Sequence, residues 1–514
     1  MLNAKKNFQW NIHQWVTLIA VSIASFQEPL ATTMTVVALP DIEQATNANF
    51  TELQWIINAY VLMFAAFVLT AGAFMDLLGR RLVFVVGMGL FALGFLSCGL
   101  ATNPLWLIIS RGVLGLGAAL SLGLPLLVYE FDGRDRATAF GIWGVAVCIG
   151  SAFGPLIGGI INDVLSWRWI FLTNVPVCLV VIILTLAQVR ESSDPDSKQV
   201  DWMGLLSFTG MFFLLMFALI EGNEQGWTSP TIVGTFAGSI VLLISFLVVE
   251  RHQVRPMFDL NLFRLPTFIG ASIIAVVIAG TFFTLIVYLP LYFQSVLGYS
   301  ATQAGLALVP MAVPLLVMGP ISGRLANLLP SRIFLSIGLA IIAVGAARML
   351  TISANSGLSA LLGGMVLAGI GAGLINGELS NVAVSVAPSE RSGMASGINH
   401  TMRQLGFGIA IAGLGAIFSY QVRSSVLTAV TDSATATSEQ ASELVEIAIA
   451  GNIESAVSSF PIEIQSVFTQ IAKMSFVVGM RSIFIVTMIV ALSGAALTYT
   501  LVREKDILTD SSKN

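Results

Sequence analysis

Charge is scarce in this chain. Asp, Glu, Lys and Arg together make up 10% of its 514 residues, against about 25% in a soluble globular protein. A soluble fold with so few charges could not cover its own surface. Cysteine and histidine are rarer still, three of each. Cys98, Cys148 and Cys178 all fall inside apolar runs, where they read as small packing residues and not as a disulfide framework. No phosphate-binding loop of the G-x-x-x-x-G-K-[ST] type occurs, which argues against ATP-driven chemistry. No His/Cys cluster and no nucleophile elbow occur either, so the expectation is a protein that is not an enzyme and has no metal and no cofactor. A cleavable leader is not expected: the N-terminus is short and polar with Lys5 and Lys6, and the first apolar run is uncut by an A-x-A site.

What fills the sequence is apolar residues, 56% of the total, in long unbroken runs. A bilayer supplies the missing apolar solvent. Within it only helices or closed barrels satisfy their backbone groups, and runs that do not alternate select helices. A crossing needs about 20 mostly apolar residues. Such runs lie near 15–38, 53–75, 82–101, 104–126, 138–161, 169–188, 202–221, 231–250, 267–289, 303–323, 332–351, 358–384, 396–418 and 477–502. The sequence therefore predicts an all-α polytopic membrane protein of fourteen spans with both termini on one side.

Positive charge selects the side. With the N-terminus inside, the inner loops hold Arg80, Arg81, Arg134, Arg136, Arg190, Lys198, Arg251, Arg255, Arg264, Arg324, Arg332 and Arg391. The tails add Lys5, Lys6, Arg503, Lys505 and Lys513, whereas the outer loops hold little beyond Arg168, Arg423, Lys473 and Arg481. This predicts a multi-pass plasma-membrane protein with both termini cytoplasmic. The longest segment outside the spans is 419–476, on the outer side. Its stretches around Leu444, Ile447 and Ile449, then Ile462, Ile464, Val467 and Phe468, look amphipathic and read as helices lying on the outer face, or as a lid.

The two halves echo each other. GAFMDLLGRR from Gly72 to Arg81 parallels GRLANLLPSR from Gly323 to Arg332. RGVLGLGAAL from Arg111 has a weaker echo in LAGIGAGLIN from Leu367, and GRDRATAFG from Gly133 in SERSGMASG from Ser389. Parallel repeats of six spans are an established transporter architecture. The division that follows is a six-helix bundle over 1–200, two inserted helices with an inner loop over 201–266, and a second six-helix bundle over 267–514 that contains the long outer loop.

These residues resemble a known family. GAFMDLLGRR resembles the loop signature G-x-x-x-D-R-x-G-R-R/K of the major facilitator superfamily. ISRGVLGLGAA is similar to its R-x-x-Q-G-x-G-A motif, and GSAFGPLIGG from Gly150 to Gly159 to its export signature. WRWIFLTNVP, LATTMTVVALP and RSGMASGINHTMRQLG resemble the fourteen-span drug:proton antiporters of the EmrB/QacA type. The resemblance implies the major facilitator fold and proton-coupled, multidrug-type efflux of small amphipathic molecules. Export of an endogenous siderophore, lipid or peptide by the same machine stays open, as does a transporter-like sensor that no longer transports. The partners implied are a small-molecule substrate, protons and lipid, no nucleic acid and, in a Gram-negative host, a periplasmic adaptor; the chain is expected to be monomeric.

The motifs assign candidate residues. Gly72, Asp76, Gly79, Arg80 and Arg81 form an inner-gate motif. Asp76 reads as a latch to a helix terminus of the opposite bundle, or the segment serves topology alone. Leu77 stands where the family has a basic residue. Gly150, Gly154, Pro155, Gly158 and Gly159 put small residues and a kink on span five; the family uses this face to pack on the other half. Arg111 lies about two turns inside span four, and a charge there is a site hypothesis by default; Leu114 replaces the usual Gln beside it. In span one the family's membrane Asp falls at Ala31 and is absent, but Glu28 lies three residues earlier on the same helical face. Glu28 reads as the replacement protonatable group tuned by Arg111, or as a polar lining of a wet cavity. Glu378 is a second buried acid, suited to a cationic substrate, a second proton, or a local contact near the inner mouth. Gln27, Asn58, Asn376, Asn399, Arg403 and Gln404 complete the cavity candidates, while His400 reads as a hydrogen-bonded bystander near the inner surface.

Overall fold

The structure is a computed structural model that describes residues 10–193, 201–253, 256, 258–325, 329–386, 392–433, 437–451, 453, 457–458 and 460–506. Lys5, Lys6, Lys198, Arg255, Arg391 and Lys513, counted above among the basic flanks, lie outside the described residues. The first part runs α1 Ile12–Val37, α2 Leu39–Thr46, α3 Phe50–Leu78, α4 Arg80–Gly99, α5 Pro104–Leu120, α6 Leu124–Glu130, α7 Gly133–Val164, α8 Trp167–Leu172 and α9 Asn174–Gln188. Two helices follow, α10 Trp202–Gln225 and α11 Pro230–His252. The last part runs α12 Pro266–Ile278, a π turn Ala279–Phe283, α13 Thr284–Ser295, α14 Ala301–Ala307, α15 Val309–Leu325, α16 Ser331–Met349, α17 Ser359–Ser385, α18 Ser392–Ser433, α19 Ser438–Ala450 and α20 Ile462–Leu501.

Among the described residues twelve helices are long and apolar enough to cross a membrane, or thirteen if α14 and α15, bent by 41°, make one crossing. Local chemistry starts and stops them. Asn11 and Asn49 form capping boxes with Gln14 and Glu52. Asn103 caps α5, with Pro104 in the first turn where its missing N–H costs nothing. Gly79, at φ 108°, turns the chain between α3 and α4.

α1 and α3–α9 pack as one bundle and α12–α20 as a second. The internal echo reappears as matched packing. The backbone of α5 meets α4 so closely that a Cβ on Gly117 would lie 2.4 Å from the Phe91 nitrogen. In the second bundle a Cβ on Gly371 of α17 would lie 2.4 Å from the Gly338 carbonyl of α16. Near the two inner-loop repeats, Arg80 sits over Tyr129 and Arg332 over Tyr499. The inserted pair bridges the halves: Trp55 of α3 donates to Glu221 of α10, and Asn223 of α10 donates to the Ala416 carbonyl of α18. α1 begins beside the end of α6, where Gln14 donates to the Glu130 carbonyl, and α20 ends beside the start of α12, where Thr267 donates to the Arg503 carbonyl.

Segment 419–476 departs from the expectation of helices lying on a membrane surface. α18 is 42 residues long, about 63 Å at 1.5 Å per residue, twice the ~30 Å hydrocarbon thickness. It continues past the bundle, α20 starts well before it, and α19 packs between the two. Leu444, Val445, Ala448 and Phe468 are buried in that small bundle, so its apolar faces meet each other and not lipid. Ile462, 80% exposed, and Val467, 38% exposed, are exceptions.

Leu444→Ala should cost about 2–5 kcal/mol of stability through the cavity it leaves. It is read as a lower melting temperature of the detergent-purified protein; an unchanged value would mean α19 is not packed. Glu43 of α2, outside the spans, is half-buried, and its Oε2 has no hydrogen-bond partner among the described residues. Burial pushes its carboxyl up to about 7. Its contribution is therefore fully present below the ordinary carboxylate range and lost as pH rises through 7. Melting temperatures should fall between pH 5 and pH 8 in the wild type, with a smaller fall in Glu43→Gln.

Candidate functional site

Four segments, two from each bundle, enclose a cavity midway along the molecule. α1 supplies Glu28, Pro29, Thr32, Thr33 and Val36, and α7 supplies Val147 and Ser151. The π turn and α13 supply Ala279, Phe283, Ile286 and Val287, and α18 supplies His400, Arg403, Gln404 and Phe407. On α1 and α18 these positions follow three- and four-residue spacings, which put them on one helical face. The π turn interrupts the helix opposite, a distortion frequent at functional sites, and brings the Phe283 ring to 4.5 Å from the Arg403 guanidinium carbon. The cavity measures about 90 Å³ and the cleft around it, open mouth included, about 680 Å³. A drug-sized ligand needs ~300 Å³ or more, so loading requires the bundles or the aromatic side chains to part.

Of the residues singled out in sequence, the structure brings Glu28, Arg403 and Gln404 together here. Glu28 is 9% exposed, and Tyr60 donates to its backbone carbonyl. His400 also belongs to the wall and not to a surface. Its ring meets Phe64 edge-on at 5.8 Å, and its Nδ1 has no partner among the described residues. Thr32, Thr33, Ser151, Phe283 and Phe407 were not singled out. The helical faces running through Glu28 and Arg403 could have found Thr32 and Phe407, while Ser151 and Phe283 come from other helices and left no such signal.

The other candidates lie elsewhere. Arg111 is fully buried but does not line the cavity. Its Nε donates to the Ile56 carbonyl at 2.9 Å and its Nη1 to the Ala31 carbonyl at 3.1 Å, and its guanidinium lies 4.6 Å from the Tyr60 ring centre. It ties α5 to α1 and α3 at the very residue that replaces the family's acid. Gln27 donates to Asn174 of α9, on the far side of α1 from the cavity. Asn399 donates to the Ala271 carbonyl of α12. Asn58 is buried off the cavity wall with no side-chain partner among the described residues. Glu378 accepts from Ser331 at 2.8 Å and from Asn381 at 3.4 Å, near the α15–α16 turn, and Asn376 beside it is half-buried; neither reaches the cavity.

The two motifs also differ from their expected contacts. Asp76 pairs with Arg80 one turn on, at 2.9 Å, not with the opposite bundle. Arg81 donates to the Val189 carbonyl, and Glu191 accepts from the Arg81 and Leu82 amides, capping α4 from within the same bundle. Gly72 has open space around it, while a Cβ on Gly79 would meet Glu191 at 2.8 Å. In α7, Gly150, Gly154 and Gly158 face α1 of their own bundle: a Cβ on Gly150 would lie 2.3 Å from the Phe26 carbonyl. Only the neighbouring stripe crosses over. A Cβ on Gly159 would lie 2.3 Å from the Ala301 carbonyl, and one on Gly305 lies 2.5 Å from the Pro155 carbonyl. Beside it, Asp163 accepts from Ser300 Oγ at 2.7 Å and from the Thr302 amide at 2.9 Å, capping α14 of the other bundle. Gln294 donates to the Val37 carbonyl at the same end. At this end the two bundles are thus held together across their interface.

Two similar helical bundles around a shared, partly polar cavity define a transporter-type membrane protein and not an enzyme. The chain belongs to the Major Facilitator Superfamily, whose sequence profile matches residues 21–411. It is 34% identical over 414 residues to the multidrug resistance protein Stp of Mycobacterium tuberculosis (strain CDC 1551 / Oshkosh), covering 80% of this chain and 76% of that protein. It is 28% identical over 494 residues to the tetracenomycin C resistance and export protein of Streptomyces glaucescens, covering 94% and 90%. Its fold is similar to that of a bacterial homologue of the human lysosomal transporter Spinster, crystallised inward-facing and unoccupied. That match has a TM-score of 0.66 at 17% identity and covers 98% of this chain and 100% of that one.

Removing the Asp163 cap should loosen the closed end, because hydrogen bonds to a charged group contribute about 1.5–3 kcal/mol each. With spin labels at the exposed positions Val164 and Leu306, Asp163→Ala should enlarge the long-distance population. An unchanged distance distribution would show that the cap does not hold this end shut.

Proposed function

We propose that this chain expels small amphipathic molecules across the plasma membrane in exchange for protons, as a fourteen-crossing exporter of the EmrB/QacA type. One observation carries the reading: a single carboxylate, Glu28, stands on the wall of a cavity shared by both bundles. α1 is then the first crossing. At 26 residues it is about 39 Å long. Gln27, Glu28, Thr32, Thr33 and Thr35 make it less apolar than its neighbours, as befits a helix buried among others and lining a polar path. The termini lie in the cytoplasm in this reading, in line with the basic flanks. The end capped by Asp163 faces out, and the cavity loads from inside.

Protonation of Glu28 from the outer side and its release inside would then alternate with substrate binding. A carboxylate in a low-dielectric cavity is suited to this, because water access and the charges around it differ between the two open states. Arg111, bound to three helices, holds α1 in register and leaves the proton step to Glu28. The Asp76–Arg80 pair belongs to the inward-open state, free to regroup when the inner end closes. The words "multidrug resistance" and "resistance and export" in the relatives' names support efflux; the second also favours export of an endogenous product by the same route.

Glu28→Gln should abolish uphill efflux driven by a pH gradient in proteoliposomes, and with it growth protection against a compound panel that is sensitive to a protonophore. Retained uphill transport in that variant would reject Glu28 as the coupling group.

A further inference from the structure

Glu28 and Arg403 come from opposite bundles and face one cavity, yet they are not in ion-pair contact. Each lies within electrostatic reach of the other. Among the described residues the Glu28 carboxylate has no hydrogen-bond donor, and the Arg403 guanidinium has only the face of Phe283. Glu28 is nine-tenths buried. Ions so far from bulk water are ordinarily paired or solvated. Two opposite charges held apart by a cavity, with an aromatic floor between them, complement a ligand that brings both partners.

We infer that the preferred substrates are amphipathic zwitterions, with the ammonium at Glu28, the carboxylate or other anionic group at Arg403, and the apolar body against Phe283, Phe407 and Ile286. A simple cation meets Glu28 but is repelled by Arg403, and a simple anion meets the reverse. A zwitterion satisfies both, and the planar guanidinium suits a carboxylate in particular.

The arrangement also fixes the direction of coupling, and in this respect it rests on the exporter reading. A substrate ammonium and a proton compete for the same carboxylate, so each displaces the other, which is the requirement for exchange. An anion held by Arg403 alone would bind better with Glu28 protonated, and the two would travel together. The titratable and charged groups around Glu28 are Arg403 and His400 on α18, Cys148 on α7, Tyr60 on α3 and, behind Tyr60, Arg111 on α5. The π turn and α13 add none to the cavity wall.

The test is a matched ligand series on the full chain in nanodiscs, measured by calorimetry: 2-naphthylalanine, its methyl ester, its N-acetyl acid and its N-acetyl methyl ester. The free amino acid should bind about tenfold or more tighter than either singly charged analogue. Lowering the pH from 8 to 6 should weaken it. Glu28→Gln should erase that pH dependence and the advantage over the N-acetyl acid. Arg403→Gln should erase the advantage over the ester, and Arg403→Lys should restore part of it. If a variant fails to fold, the wild-type ranking and its pH dependence decide alone. A singly charged analogue that binds as well as the zwitterion, or no binding by any of the four, overturns the inference. The same ranking with no proton-driven efflux in proteoliposomes would overturn the exporter reading and leave the zwitterion site standing; efflux without the ranking would do the opposite.

Discussion

A charge placed in hydrocarbon must find a partner, a carbonyl or water, because leaving it bare costs several kcal/mol. Arg111 and Arg403 meet that demand in opposite ways. Arg111 is enclosed by backbone carbonyls of two neighbouring helices and the ring of Tyr60, so its charge is spent on holding three helices together. Arg403 rests on one aromatic face and turns the rest of its donors to the cavity. The first is a structural tie and the second an open valence. The cavity exists where it does because Glu28 and Arg403 need somewhere to be solvated, and the interface between the bundles is the place that can open.

That interface is built to separate. On the closed side the bundles meet through backbone at Gly159, Ala301, Pro155 and Gly305, with Asp163 capping α14. Contacts between small residues bury few rotatable side chains, and one cap concentrates the directional part of the bond. Within the first bundle, by contrast, Gly150, Gly154 and Gly158 lock α7 onto α1 over about two turns. Rigid bundles joined by a shallow seam are what rocking between two open states requires. The helix α10, with α11 packed on it, lies to one side of the seam, bonded to α3 and to α18. They link the halves and leave the cavity free.

The family's span-one acid falls at Ala31, whose carbonyl is where Arg111 donates. An acid at that position would sit against Arg111. With alanine there, the helix carbonyl takes one donor, Tyr60 covers the face, and Nη2 keeps no partner among the described residues. Glu28, three residues earlier on α1, instead stands on the cavity wall that Arg403 also lines, without a hydrogen bond to either arginine.

Hydropathy alone located the long apolar helices, because a backbone in lipid has no alternative to internal hydrogen bonding; among the described residues twelve or thirteen of the fourteen expected spans are long and apolar enough to cross. Helical spacing placed Glu28 one turn before Ala31 on the same face, whereas Arg403 came only from the family resemblance. Sequence also flagged the amphipathic stretches of 419–476, but it could not tell an apolar face that meets lipid from one that meets a neighbouring helix, since both want the same side chains. It put Arg111 ahead of Arg403, which the cavity lining reverses, because a period fixes which residues share a face and not what that face looks at. Asp163 and Ser300 lie 137 residues apart and in different halves, and Glu191 and the start of α4 are more than a hundred residues apart. Such pairings leave no trace in local pattern. Tertiary packing alone decided them, by bringing one helix end to another and leaving two opposite charges facing across a gap.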